Sequence, residues 1–562
     1  MVLKDLSAAT AAQSASTFAT LASQSSPKLH RWTRKPQRII AFEPCKDEFF
    51  GVRAVPATKN IANLPTLTWG KGDDFVLDFG LHMVGSLSFD LSSVGAHQDS
   101  PCRLRLTFGE SPLDVTMGME GVETWISTAW LPDEVINVDV CPQTVYMKRR
   151  YAFRYLRVEI IDTSTKFKVA FSNVACECIS AVSQQTQFEA LSFDGSGTTT
   201  NDSGLFQAID QVSIMTLRDC MQTVFEDGPR RDRRIWIGDL RLQALVNYAT
   251  LKDFNLVKRC LLMFAAVTRE DGSMPACLFE KPALAAASDY LLEYDALFAA
   301  TVCDYVAASG DLDTGRMLWP TVLACLRTPL TYVDPETMTF DSRRGDDWQF
   351  LDWAPGVNGS TGSHGLVLYC LKAADKLARM LQVHSPYTHW ITGMTAAAPA
   401  LISDDGVVVS GPEKQVSYAC ASWLVLSEAL PQDVARAALL KTLADTKAIK
   451  PLTPYAWHHV CDALLVVGCE DECLDLLRTY WGGMIRAGAD TFWEAYDPED
   501  PKASPYGDVR NNSFCHAWSC TPSLLLRTRL LERVGGKVAG PMTMGALDDA
   551  WVRRSVGAPA QL

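Results

Sequence analysis

The feature that most constrains this fold is a change of hydrophobic period near residue 190. From about residue 37 to 188 the apolar residues alternate in short runs, such as FVLDFG at 75–80, SLSFDL at 86–91 and RLRLTFGE at 103–110. Alternation sends successive side chains to opposite faces, so these runs predict strands with one buried face, joined by Gly, Pro and Asp turns. Beyond residue 204 the spacing becomes helical, with Leu205, Ile209, Val212 and Thr216, and later Leu242, Leu245 and Ala249, on common faces. We therefore expect a multidomain α+β chain: a flexible segment over 1–36, an antiparallel β-sandwich over 37–188, a linker over 189–203, a helical domain over 204–535 and a short tail over 536–562. The Ser-, Gly- and Thr-rich run SFDGSGTTTNDS at 192–203 marks the linker and supplies Asp202 or Ser203 as a helix N-cap. About a dozen helices fit into the last domain, which suits a closed barrel of six helical hairpins and an open α-solenoid alike.

Composition excludes several roles. With 562 residues, 48% hydrophobic and 21% charged, the chain can bury a core without staples. A net charge of −13 and a pI near 5.3 argue against nucleic acid or an anionic membrane as partner and leave a neutral sugar compatible. The 17 cysteines are scattered, without CxxC pairs or zinc-like spacing, so we expect reduced core thiols and neither metal nor cofactor. The first 26 residues lack the continuous apolar stretch of a signal peptide, which implies a cytoplasmic location. Arg31, Arg34 and Arg38 leave an organellar transit peptide open. No run of ~18 apolar residues is present to span a membrane.

Chemistry concentrates at Phe225–Leu240, FEDGPRRDRRIWIGDL, where four carboxylates and four arginines surround a Gly-Pro pair. Gly228-Pro229 stops a regular helix, so the segment can aim several carboxylates at one point. By charge alone it reads as a solvated turn, and its interleaved acids argue against a nucleic-acid patch. The order Asp227, Pro229, Arg231, Asp232, Trp236, Gly238, Asp239 resembles the signature loop of the family 78 glycoside hydrolases, the α-L-rhamnosidases. In that family the acid after the Arg is usually Glu and is the general acid; here it is Asp232, one methylene shorter. Thr491-Phe492-Trp493-Glu494 resembles the late Trp-Glu whose Glu is the general base, and His516 matches the histidine that follows it. The DFG at 78–80, the FGE at 108–110 and the YAFRYLRVEI run resemble the β-domain that precedes the barrel in this family.

The resemblance covers about residues 40–535 and implies an (α/α)6 barrel, with the family's C-terminal β-domain reduced or absent. It implies inverting removal of terminal α-L-rhamnose from a small glycoside or oligosaccharide by a monomer or homodimer. Asp232 would be the acid and Glu494 the base, with Asp227, Arg231, Trp236, Asp239, Trp493 and His516 around the sugar. Trp348 and Trp353, in GDDWQFLDWAP, are either pocket walls for the rhamnose methyl edge or barrel core. Asp289 and Glu293, in SDYLLEYD, are either site acids or helix-start charges. Four arginines would depress Asp232 unless turned toward Asp227, Asp239 and Glu226, which would leave Asp232 against Trp236 in a drier pocket. A non-catalytic sugar-binding barrel, a hydrolase for another sugar and a helical scaffold are the competing readings.

Overall fold

The computed structural model describes residues 8–193 and 202–557. Among the described residues nine antiparallel strands form the sheet of the N-terminal domain, in the order His30–Arg34, Phe167–Ser180, Asp74–Gly95, Tyr151–Asp162, Cys102–Gly109, Asp133–Val138, with Arg38–Pro44 and Gln143–Tyr146 also pairing with the long strand and Val52–Pro56 pairing with Arg38–Pro44. That strand, Asp74–Gly95, pairs with Arg38–Pro44 and Tyr151–Asp162 near its start and with Gln143–Tyr146 and Phe167–Ser180 near its end, and its register shifts between Asp78 and Met83. The shift bends it so that alternate residues Phe75, Leu77, Phe79, Leu87 and Phe89 share one core with Leu104, Leu106 and Phe108. This is the sandwich that the alternation predicts.

Five helices, Ile237–Ala249, Leu292–Ser309, Ser360–Leu381, Tyr418–Leu426 and Pro454–Val466, touch one another in series, and the segment Ala517–Leu530 closes the ring against the first. Outer helices such as Phe254–Ala266, Leu312–Cys325 and Gln432–Ala444 back them, and Asp202–Cys220 backs the closing segment. The ring is closed because the chain's first barrel helix packs on its last inner segment, which excludes the open solenoid. Among the inner helices, Tyr418–Leu426 is buried at every residue. No helix among the described residues is long and apolar enough to cross a membrane.

Two segments differ from what the sequence leads one to expect, and the tail takes a defined form. From Ala8 the N-terminal segment is helical: Ala8–Gln24 lies on Phe254–Ala266, with Phe18 and Ala22 buried and the Arg259 guanidinium donating to the Ala22 carbonyl. Its Ala- and Ser-rich composition is what allows that close approach. The proposed linker begins inside a strand, Gln187–Phe193; residues 194–201 and the side chains of Asp202 and Ser203 lie outside the described residues. The tail is ordered too. Gly536–Thr543 pairs antiparallel with Gln187–Phe193, and helix Met544–Gly557 follows, its buried Asp548 accepting from Arg34, Arg218 and Gln184.

Buried polar groups hold the two domains in register. Asp78 accepts from Arg38 and Arg154, and Arg154 reaches Asp490 at 3.4 Å. His82 bridges Asp219 on the barrel, 2.7 Å from Nδ1, and Glu110 on the β-domain, 3.0 Å from Nε2. The other oxygen of Glu110 accepts from the Phe514 N–H at 2.7 Å. The DFG and FGE motifs therefore supply interface acids.

Burial alone would lower the His82 pKa, but Cys515, Asp219 and Glu110 outweigh it and raise it well above 6.5. A raised histidine stabilises the fold fully below its unfolded pKa, and that contribution is lost as pH rises through the folded value. His82→Ala should therefore cost about 3–5 kcal/mol, the scale of breaking a buried charged pair. Urea unfolding should show a lower midpoint and a weaker decline in stability above pH 6.5; an unchanged pH slope would contradict a charged His82.

Candidate active site

A pocket of about 370 Å³ opens at the N-terminal ends of the inner helices. Asp239 lies in the first turn of Ile237–Ala249, Tyr294 in that of Leu292–Ser309, and Glu494 and His516 precede the closing segment. Helix N-termini carry partial positive charge, which suits a cluster of carboxylates. Close packing sets the walls: a Cβ at Gly238 would stand 2.4 Å from the Tyr294 ring.

The Phe225–Leu240 loop turns on two consecutive left-handed residues, Asp232 at φ 59° and Arg233 at φ 57°. Such conformations each cost on the order of 1–3 kcal/mol at non-glycine residues and persist where the surroundings enforce them. Here Asp227 and Arg234 clasp the loop base, through Asp227 N–H to the Arg234 carbonyl at 3.0 Å and Arg234 N–H to Asp227 Oδ1 at 3.1 Å. The Ala517 N–H donates to the Asp227 carbonyl at 2.7 Å, tying this loop to the late one.

Each arginine has a different partner. Arg230 pairs with Asp114 of the β-domain at 2.8 Å, Arg233 donates to the carbonyls of Pro229, Arg150 and Arg230, and Arg234 lies 4.4 Å over the Phe279 ring. Arg231 crosses the pocket floor. Its Nη2 donates to both oxygens of Glu494 at 2.7 and 2.6 Å, its Nε to the Asn511 carbonyl at 3.0 Å, and its Nη1 stands 3.3 Å from Asp232 Oδ1. One guanidinium thus touches both candidate catalytic carboxyls. Adding the width of its fork to the 3.3 and 2.6 Å contacts, those oxygens lie at most about 8 Å apart. Among the described residues no arginine is ion-paired with Asp227 or Asp239, so the condition that the loop's arginines turn toward them is not met there.

The acids divide electrostatically. Burial pushes Asp227 up, and Asp232 and Asp239 push it further, so its carboxyl holds its proton well above the usual range. Burial and then Glu494 do the same to Asp239. Burial also raises Glu494, but Arg231 and the Tyr506 hydroxyl that donates to it more than offset this, and Glu494 stays below 4.5. His516 is lowered by burial to about 4 and is a neutral imidazole, 3.5 Å from Asp239 and 3.8 Å from Glu494, too far for formed hydrogen bonds. Asp239 Oδ1, His516 Nδ1 and Trp236 Nε1 are buried without hydrogen-bond partners. Acceptors and donors left unpaired around one cavity suit a ligand with several hydroxyls.

Residues 36–178 match the glycosyl hydrolase family 78 alpha-rhamnosidase N-terminal domain, and residues 194–530 match the bacterial alpha-L-rhamnosidase 6 hairpin glycosidase domain. A rhamnosidase from Klebsiella oxytoca, solved with rhamnose bound, is 36% identical over 91% of this chain and 98% of its own, with a TM-score of 0.85. This chain belongs to glycoside hydrolase family 78. The fold extends to more distant members. A family 78 rhamnosidase of Bacillus sp. GL1 is 19% identical over 87% of this chain and 51% of its own, TM-score 0.68. The Streptomyces avermitilis α-L-rhamnosidase solved with L-rhamnose is 17% identical over 91% and 44%, TM-score 0.63. No curated protein matches the chain in sequence.

Most of the residues singled out from the sequence line the pocket: Asp227, Arg231, Asp232, Trp236, Asp239, Trp348, Trp353, Glu494 and His516 all do. Trp493 does not. It packs against Phe49, Phe50, Tyr496 and Phe514, because neighbouring residues of an extended segment point to opposite sides and Glu494 takes the pocket side. Asp289 reaches the pocket, whereas Glu293 lies behind it, pushed up to about 7 by burial while accepting from the Phe350 N–H at 2.7 Å and from the Ser363 hydroxyl.

Sequence reasoning missed Tyr506, Trp518, Tyr294 and Phe350, and all four β-domain residues at the mouth, Trp125, Ile126, Ser127 and Trp130. Trp518 was within reach, two residues beyond His516. His82, Asp219 and Cys515 lie close enough to share an ion. Both His82 nitrogens are already engaged by Asp219 and Glu110, so this cluster reads as interface wiring rather than a metal centre.

Proposed function

We propose that this chain is an exo-acting α-L-rhamnosidase that releases terminal rhamnose with inversion, Asp232 serving as general acid and Glu494 as general base. The observation that carries the pairing of these two carboxyls is the Arg231 guanidinium, which touches both and keeps them at most about 8 Å apart across one pocket; inversion is what the family resemblance implies. Glu494, ionised below the ordinary glutamate value, can accept a proton from water. Asp232 is more exposed than Asp227, Asp239 and Glu494, with 18% of its side chain accessible, and this reading puts the leaving group on its side of the pocket. The retained protons of Asp227 and Asp239 allow both to donate to sugar hydroxyls as well as accept.

The rhamnose in the Klebsiella oxytoca relative supports the choice of sugar. So does the apolar depth of the pocket, where Tyr294, Phe350 and Trp518 offer rings to a methyl edge. We place the enzyme in the cytoplasm: its 17 cysteines are all unbonded, as a reducing compartment would keep them. The substrate is a rhamnosylated small molecule or oligosaccharide, taken by a monomer or homodimer without cofactor.

An aryl α-L-rhamnoside should be turned over, and proton NMR in the first minutes should show β-rhamnose. Inverting sites hold their carboxyls about 6.5–9.5 Å apart and retaining sites about 5–5.5 Å, so the first-formed anomer separates the two. α-Rhamnose appearing first, or a glycosyl adduct on Glu494, would sink the inverting assignment. If rhamnose binds but no glycoside is cleaved, the non-catalytic sugar-binding reading takes its place.

A further inference from the structure

Residues 118–125 of the β-domain run along the barrel loop 503–512. The Arg510 guanidinium donates to the carbonyls of Gly118 and Glu120 at 2.6 and 3.0 Å. The Thr124 hydroxyl and the Trp125 N–H donate to the Tyr506 carbonyl at 2.9 and 3.3 Å, and the Trp125 indole N–H donates to the Pro505 carbonyl at 2.8 Å. The approach is close enough to require a glycine: Gly507 has φ 93°, and a Cβ there would stand 3.1 Å from the Glu123 carbonyl oxygen.

The loop is also braced from within. Asp508 accepts from the Arg510 backbone N–H at 2.9 Å and pairs with its guanidinium at 2.6 Å, while the Ser504 hydroxyl accepts from the Tyr506 N–H at 3.1 Å and donates to Asn512 at 2.6 Å. Tyr506 is 5% exposed, its hydroxyl donates to Glu494, and the Arg231 guanidinium lies 4.3 Å over its ring. The ring therefore also supports the arginine that grips both oxygens of Glu494.

We propose that the β-domain takes part in catalysis through this loop, holding Tyr506 as a positioning residue against Glu494, with Arg510 as the anchor. The proposal rests on the reading of Glu494 as the base. On its other sides Glu494 faces Arg231 and, beyond it, Asp232 of the Phe225–Leu240 loop, Asp239 in the first turn of Ile237–Ala249, and His516. Arg231 and the Ser513 N–H reach it from other barrel loops; the Tyr506 hydroxyl comes from the loop that the β-domain holds. A donor to the charged form of a carboxyl keeps it ionised in acid, and burial works against ionisation here. Losing the Tyr506 donor therefore raises the pH at which the base takes up its proton.

The test is the pH profile of kcat/KM on an aryl α-L-rhamnoside for the wild type, Tyr506→Phe, Arg510→Ala and Arg510→Lys, with thermal melting as a check on folding. Tyr506→Phe keeps the ring under Arg231 and removes the hydroxyl alone, so its acid limb should move up by about 1–2 pH units, the scale of one hydrogen bond to a charged group. Arg510 lies outside the pocket and acts through the loop, so Arg510→Ala should move the limb in the same direction by less. Arg510→Lys, whose single amine cannot hold both carbonyls and Asp508 together, should give a smaller shift still, and it replaces the alanine variant if that one does not fold. A merely structural role would lower the melting temperature and kcat while leaving the limb in place. An unmoved limb in Tyr506→Phe, or in the folded Arg510 variants, overturns the proposal while the base reading stands. Retention of wild-type kcat by Glu494→Gln, or no turnover by the wild type, overturns the base reading and this proposal with it.

Discussion

Glu494→Gln should lower kcat by about 10²–10⁴ while leaving rhamnose bound, because the amide keeps the shape and one acceptor of the carboxylate but cannot deprotonate water. Three groups set this expectation. Arg231 makes two short contacts to the carboxylate, Ser513 donates its N–H at 3.0 Å and Tyr506 its hydroxyl, so the side chain is fixed before substrate arrives. The same groups explain the pH profile we expect. A base must be ionised to act, and Glu494 lies below 4.5 despite its burial, so kcat/KM should hold on the acid side until pH falls below that value. Calorimetric titration with rhamnose separates loss of chemistry from loss of the pocket. If the variant retains more than a tenth of wild-type kcat, Glu494 is not the base.

Asp232→Asn should cost a hundredfold or more on a glycoside with a natural, poorly departing alcohol, and much less on an activated aryl glycoside whose leaving group needs no proton. That contrast is the signature of a lost general acid, which general damage to the fold would not produce. Asp232 carries the role with a side chain one methylene shorter than the usual Glu, and its left-handed backbone at φ 59° sets its direction into the pocket. Asp227 is the control. It is buried and, like Asp239, holds its proton to higher pH, so it is another carboxyl able to protonate a leaving oxygen. Should Asp227→Asn, and not Asp232→Asn, show the leaving-group dependence, the two roles exchange.

Much of this architecture follows from local pattern. Strand alternation before residue 190 and helical spacing after it reflect the side-chain directions of each backbone conformation, so the β-domain and the barrel helices are visible within windows of a few residues. The carboxylates of the Phe225–Leu240 loop and the Trp493-Glu494 pair lie in short ordered motifs and were legible for the same reason. Even Asp78 and Glu110, read only as family resemblance, sit in fixed tripeptides, although nothing local says that they join two domains.

Only the tertiary structure decided which charges meet. Arg231 and Glu494 are 263 residues apart, and no spacing rule predicts that one arginine of four crosses to Glu494 while the others take Asp114, backbone carbonyls and a phenyl ring. Trp493 was misplaced because sequence adjacency to Glu494 hid the alternation that sends the two side chains to opposite sides. The N-terminal helix looked flexible because its small residues gain stability only from the barrel helix beneath them, and an isolated Ala- and Ser-rich segment shows no strong apolar face. The sequence by itself determined the two domains, the family and most of the acids; long-range packing determined the charge states, the inter-domain wiring and the aromatic mouth, because burial by distant segments is what sets them.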